Sequence, residues 1–134
     1  MSITELFKRV GAPLRVPRRS WGAVRESDGA VFLRVWQDRK KVINRVMHMM
    51  VTHHEKFKDD PDDFGYKERL DHVEHIRAGS PCFLIMCLAK DPAKSPREIK
   101  SFNSDDIFVG SEVVDIDGDS YVKVADRVAL QTVL

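Results

Sequence analysis

Apolar residues recur at helical spacing at the start of the chain, where Ile3, Leu6, Phe7 and Val10 stand at i, i+3, i+4 and i+7. That is one stripe of an amphipathic helix. Ser2-Ile3-Thr4-Glu5 has the form of a capping box before it, and Gly11 with Pro13 closes it. The period then changes. Trp21–Glu26 and Ala30–Trp36 are segments of high β-propensity about Asp28-Gly29, a dipeptide suited to the positive φ angles of a tight type I′ turn, so a β-hairpin is expected. With a two-residue loop, Ser27 faces Ala30 and the pairing steps back through Arg25/Phe32, Val24/Leu33 and Ala23/Arg34 to Trp21/Trp36. Alternation along the strands then places Gly22, Val24, Val31, Leu33 and Val35 on one face, suited to a dry core. Trp21, Ala23, Arg25, Phe32, Arg34 and Trp36 fall on the other.

Further along, Val42 to His53 fits both periods, and its β-branched residues favour a strand from about Arg45 to His53. Residues 56–64, KFKDDPDDF, read as an acidic, solvent-facing loop. Tyr66, Leu70, Val73 and Arg77 lie along one line of a helix expected from about Gly65 to Ala78, ended by Gly79-Ser80-Pro81. Cys82 to Ala89 is nearly all apolar, as a central strand covered on both sides would be. Residues 91–106 read as a loop. Ile107 to Ile116 and Asp119 to Arg127 form a second hairpin about Asp117-Gly118, with Glu112 opposite Lys123 and Val114 opposite Tyr121. Leu130 to Leu134 either extends a strand or hangs free. Neither a repeat nor a long linker interrupts the 134 residues, so one domain, 1–134, is expected. The order of elements predicts an α+β fold: a mostly antiparallel curved sheet or small β-barrel flanked by two helices.

Composition changes this picture in two ways. Apolar content of 43% and charged content of 32% are ordinary for a globule, no apolar run approaches the ~18 residues of a membrane span, and MSITELFKRV lacks the hydrophobic region of a signal peptide. A cytoplasmic protein without membrane contact is the expectation. Cys82 and Cys87, five residues apart on one strand, point to opposite faces, which makes them buried free thiols. The net charge of +1 conceals a strong asymmetry. Residues 1–45 hold eleven Lys or Arg against four acids, an excess of seven, and the remainder carries an excess of six acids. Such segregation favours a polyanionic partner.

The candidate chemistry follows from the hairpin. Three rings and two guanidiniums around one small residue suit a surface that stacks on bases while binding phosphates. The alternative is a second core face, with Arg stems packed across the rings. Arg18 and Arg19, on the irregular stretch before the hairpin, and Lys40 and Lys41, beyond it, would contact the backbone of a nucleic acid. Lys94, Arg97 and Lys100 form another basic stretch. Among possible enzymes, His48, His53, His54, His72 and His75 could hold a metal for hydrolysis, and Asp105, Asp106, Glu112 and Lys123 could be arranged as a nuclease site. Yet no HExxH, zinc-finger quartet, Walker loop, dinucleotide fingerprint or nucleophile elbow is present. Asp115-Ile116-Asp117-Gly118-Asp119 lies too near the end of the sequence for a phosphohydrolase motif and reads as a hairpin turn. No cofactor is implied, and a binding module is favoured over an enzyme.

The Trp21-Gly22 start, the Val31-Phe32-Leu33-Arg34-Val35-Trp36 strand and the late IFVGSEVVDIDG run together resemble the PUA-like superfamily over about residues 20–127. This grouping includes the EVE, YTH and SRA modules, several of which bind modified or flipped bases in aromatic pockets. The Gly-Asp-hydrophobic turn of many members has no clear counterpart, unless residues 27–32 stand in for it. The resemblance implies an unstacked base held by Trp21, Trp36 or Phe32, with Arg18, Arg19, Arg25, Arg34 and Lys40 or Lys41 on the backbone of DNA or RNA. Two other functions remain open: a metal-assisted hydrolase or nuclease, and an interaction subunit that buries its aromatic face against a protein.

Overall fold

In the computed structural model, which describes residues 1–134, the first helix, α1 (Ile3–Arg9), begins at the expected capping box. Ser2 Oγ accepts from the Glu5 amide and the Glu5 carboxylate accepts from the Ser2 amide. The strands are β1 (Gly22–Val24), β2 (Val31–Trp36), β3 (Lys40–Ile43), β4 (Val46–Met50), β5 (Cys82–Ala89), β6 (Ile99–Phe102), β7 (Asp106–Ile116) and β8 (Asp119–Ala129). Between β4 and β5 lie α2 (His54–Phe57) and α3 (Phe64–Arg77), and a 3-10 turn, Leu130–Val133, ends the chain.

The strands form one mixed sheet in the order β1-β2-β5-β7-β8-β4-β3, with β6 also paired to β5. All ladders are antiparallel except β2–β5, which is parallel and joined by the long crossover through β3, β4, α2 and α3. The sheet curves enough to bring β4 against β2 from the other end of the order. No ladder joins the two, so the fold is α+β with an open sheet and not the closed barrel that was one of the two expectations.

Strand alternation builds a core on each face of this sheet. Phe32, Ile85 and Cys87 turn to the face covered by Leu6, Phe7 and Val10 of α1. Val31, Leu33, Val35, Cys82 and Leu84 turn to the face covered by Val73 and Ile76 of α3. Both cysteines are buried and free, one in each core, as their spacing predicts. Burial pushes the Cys82 thiol up to about 12 and the Cys87 thiol up to about 11, so neither is a nucleophile at neutral pH.

Four expectations need correction. The first hairpin pairs Gly22 with Leu33 and Val24 with Val31, two residues away from the expected register. Its loop is longer because the Asp28 side chain accepts from the Ala30 amide and pairs with Arg25, and only Gly29, at φ +74°, takes a left-handed conformation. The expected strand from Arg45 to His53 is β4 alone. Lys40 and Lys41, read as a displayed basic cluster, belong to β3 and form a second hairpin with it, turned by Asn44 and Arg45 at φ 51° and 66°. The loop expected over 91–106 contains β6, and the acidic loop contains α2, so there are three helices rather than two. The tail neither hangs free nor extends a strand: Leu130 is buried, and the Val133 carbonyl accepts from Arg25.

Candidate functional site

A slip of two residues leaves every side chain on its expected face, but the face is not one continuous wet surface. Phe32 is fully buried against α1 and stacks on Phe83, with centroids 5.0 Å apart. Arg25 lies over the Phe32 ring and spends its donors on Asp28 and the carbonyls of Val10 and Val133. This half of the face has the alternative core arrangement, Arg stem across ring. Lys40 is exposed on β3, and Lys41 pairs with Asp117 in the turn between β7 and β8. Arg25, Phe32, Lys40 and Lys41 therefore do not join the other candidates.

Trp21, Arg34, Trp36, Arg18 and Arg19 do come together, because β1 stops early. It covers only residues 31–33 of β2. After Arg34 donates its amide to the Trp21 carbonyl, the rest of that edge has no neighbouring strand on its β1 side. The gap is a cavity of about 370 Å³, and its walls come from five parts of the chain. Arg18, Arg19 and Trp21 lead into β1, Arg34 and Trp36 belong to β2, and Arg39 and Met50 flank the second hairpin. His53, Lys56, Phe57, Asp63, Gly65 and Arg69 come from the α2–α3 region, and Ser95, Pro96 and Arg97 from the loop before β6. This volume lies within the range of small-ligand pockets, roughly 300–1,000 Å³.

The rings are held from behind. The Trp21 indole packs directly on the Gly65 backbone, against Phe57 at 5.1 Å and edge-on to His53 at 6.4 Å. Arg69 lies over its other surroundings at 5.6 Å from the ring. Trp36 carries the Arg97 guanidinium 5.3 Å from its centroid, and Arg97 is itself fixed by two bonds to Asp38 at 2.6 and 2.7 Å. Both indoles are partly exposed.

Charge in the cavity is one-sided. Seven cations line it, Arg18, Arg19, Arg34, Arg39, Lys56, Arg69 and Arg97, against one carboxylate, Asp63, which is committed to capping α3 by accepting the Tyr66 amide at 3.1 Å. Arg97 alone among the seven has an ion-pair partner. Arg69, 3% exposed, donates to the carbonyls of Val51, Trp21 and Arg34 at 2.8–2.9 Å and has no counter-ion. Burial, then the nearby Arg34 charge, pushes its pKa down to about 9. Arg34 makes no side-chain hydrogen bond, its buried Nε has no partner, and burial pulls its pKa down as well. Desolvated guanidiniums without an ion-pair partner are costly, and Arg34 and Arg69 lie together with no carboxylate in salt-bridge contact.

His53 is positioned by a polar clip just behind the cavity. Asp119 accepts from the His54 amide at 2.7 Å and from Thr52 Oγ1 at 3.2 Å, and Thr52 Oγ1 accepts from the Ser120 amide at 2.7 Å. The run Asp115 to Asp119 is thus a tight turn, with Asp117 and Gly118 at positive φ, and a structural anchor. The five histidines are dispersed: His48 is buried on β4, His53 faces the cavity, His54 bonds Tyr66, His72 is buried under α3, and His75 is exposed beside Asp71. No three His, Cys, Asp or Glu side chains are grouped to hold a metal ion, and the five histidines are not brought to one point. Of the nuclease candidates, Asp106 pairs with Arg127, and Glu112 and Lys123 pair with each other on the surface. Exposed large apolar residues, Met1, Val42, Leu88 and Leu134, are scattered along the sequence rather than gathered on the aromatic face.

Burial first, and then the charge of Arg69, holds His53 down at about 3 and His72 at about 4. In the unfolded chain both accept a proton near pH 6.5, so acidification favours the unfolded state. Stability is therefore expected to be full above pH 6.5 and to fall by a few kcal/mol towards pH 4.5, before ordinary carboxylates titrate. Urea unfolding across that range checks this, and the slope should flatten in the double variant His53→Gln, His72→Gln. A slope unchanged by the double substitution would assign it to other groups.

Arg69 and Gly65 were not recognised as site residues from the sequence, though a signal existed for the first, and His53 was considered only as a metal ligand. Buried positions of α3 run Gly65, Tyr66, Arg69, His72, Val73 and Ile76, a helical stripe with a cation in a position that burial should exclude. The chain matches no protein-family model, no curated protein and no solved structure. No helix is long and apolar enough to cross a membrane.

Proposed function

We propose that the protein is a nucleic-acid-binding module that lodges one unstacked base in the cavity between β1, β2 and α3. The observation that carries this reading is the pairing of two partly exposed indoles with an almost uncompensated set of cations around one cavity. Rings accept any base by stacking, worth ~1–3 kcal/mol per base, and the exposed Arg18, Arg19 and Lys56 lie at the same cavity as phosphate contacts. The PUA-like resemblance is consistent with this use of the site and adds that the base is a flipped or modified one. Extruding a base costs a few kcal/mol, which one or two ring contacts and several phosphate contacts are sufficient to offset.

Binding of labelled single-stranded and duplex oligonucleotides, read by fluorescence anisotropy, tests the proposal. Affinity should fall steeply with salt, because each neutralised phosphate releases counter-ions. Trp36→Ala should weaken binding by roughly tenfold or more. Because the ring is partly buried against the α1-side core, the substitution should also lower the melting temperature, so affinity is compared at a temperature where both proteins are folded. Unchanged affinity in a folded Trp36→Ala protein would remove the stacking role.

A further inference from the structure

We propose that the innermost group the cavity accepts is a terminal phosphate monoester of a nucleotide, its oxygens gripped by Arg34 beside Arg69 and its base resting on the tryptophan walls. This rests on the base-binding reading of the same cavity and specifies which part of a strand enters it. The argument is one of charge and donors. Arg34 and Arg69 are the two guanidiniums on the wall that burial disfavours most, each has a buried Nε without a partner, and neither has a carboxylate in salt-bridge contact, Glu68 acting on Arg69 only through space. Asp63, the one carboxylate on the wall, is occupied at the start of α3.

A neutral base edge would satisfy Arg34 as a hydrogen-bond donor and leave two buried positive charges unbalanced. An internal phosphodiester brings a single negative charge. A monoester brings about −1.5 to −2 at pH 7 with three acceptor oxygens, matching the two guanidiniums in number, and the fork of Arg34 is shaped for two of those oxygens. The exposed rim cations remain for the phosphodiesters that follow. The neutral His53 ring adds a hydrogen-bonding edge without adding charge. The same chemistry is offered by the end of a strand and by a free mononucleotide, and the experiment separates them.

The probes are hexanucleotides bearing a 5′-phosphate, a 3′-phosphate or only hydroxyl ends, with AMP, adenosine and inorganic phosphate as competitors, against the parent protein and Arg34→Met. A phosphate at one end is expected to tighten binding at least tenfold over the hydroxyl-ended strand, and AMP to compete where adenosine does not. Arg34→Met should lose that increment, so that phosphorylated and hydroxyl-ended strands bind the variant with equal affinity. The variant should melt close to the parent, because Arg34 has no side-chain hydrogen bond or ion pair to lose and methionine keeps the volume of its stem; Arg34→Gln serves as a second uncharged variant. Equal affinity for phosphorylated and hydroxyl-ended strands overturns the proposal and leaves the nucleic-acid reading standing. Binding of AMP with no oligonucleotide bound supports the monoester and overturns the nucleic-acid reading. Competition by inorganic phosphate as strong as by AMP, or a phosphate increment that survives in both Arg34 variants, also overturns the proposal.

Discussion

Arg69→Met is expected to lower the unfolding free energy by about 2–4 kcal/mol, the scale expected when buried carbonyls are left without their donor. The methionine fits the volume of the stem, so the loss comes from polar groups. The carbonyls of Val51 and Arg34 lose the Arg69 donor and that of Trp21 is left with the Arg34 amide alone, and a buried acceptor left without its donor costs about 1–3 kcal/mol. These carbonyls belong to three separate segments: the end of β4, the entry to β1, and β2. Arg69 is therefore the tie that holds the second hairpin, the first hairpin and α3 in register around the cavity. A domain of this size has roughly 5–15 kcal/mol in total, so the variant should be folded at room temperature and unfold at a visibly lower urea midpoint. A loss below ~1 kcal/mol, the value of a single ordinary hydrogen bond, would mean that the three segments are held by packing alone.

Gly65→Ala is the second large effect. A Cβ at position 65 would lie 2.7 Å from the Arg19 carbonyl and nearer still to Nε1 and Cε2 of the Trp21 indole. No side-chain rotation relieves this, since the indole is wedged by Phe57 and His53 and the other obstacle is backbone. One methyl group must push either the ring out of its seat or the turn at Arg19 away from α3, at a cost of ~1–3 kcal/mol for overpacking. The expected result is a shifted Trp emission spectrum, a lower melting temperature, and loss of most oligonucleotide affinity from a substitution that changes no charge. Retention of the parent emission and affinity would show that Trp21 does not form the wall on which binding depends.

Local patterns in the sequence anticipated local structure well. The capping box at Ser2, the stripe of α1, the apolar run of β5 and the Asp117-Gly118 turn are each decided by residues within a few positions of one another, and each is found where expected. The first hairpin shows where that limit lies. Asp28-Gly29 is compatible with a two-residue loop, but the Asp28 carboxylate finds Arg25 and the Ala30 amide, and the longer loop that results moves the register by two. Faces survive an even shift, so Trp21, Arg34 and Trp36 stayed together although their partners changed.

What the sequence did not disclose was non-local. The β2–β5 parallel ladder spans the whole crossover, and no periodicity announces it. Burial of Phe32 depends on where α1 docks, which removed Phe32 and Arg25 from the candidate surface. Arg69 and Lys56 lie in segments that read as ordinary solvated charge, and only the folded chain brings them beside the basic hairpin.

The placement of the two thiols has a practical corollary. Each layer of the protein carries its own internal clock: Cys87 keeps time for the α1 side and Cys82 for the α3 side. With both sulfhydryls silent while the fold is shut, the rate at which an alkylating reagent reaches each one measures how often that half of the molecule breathes. A ligand seated against α3 can then be located by which of the two rates it slows.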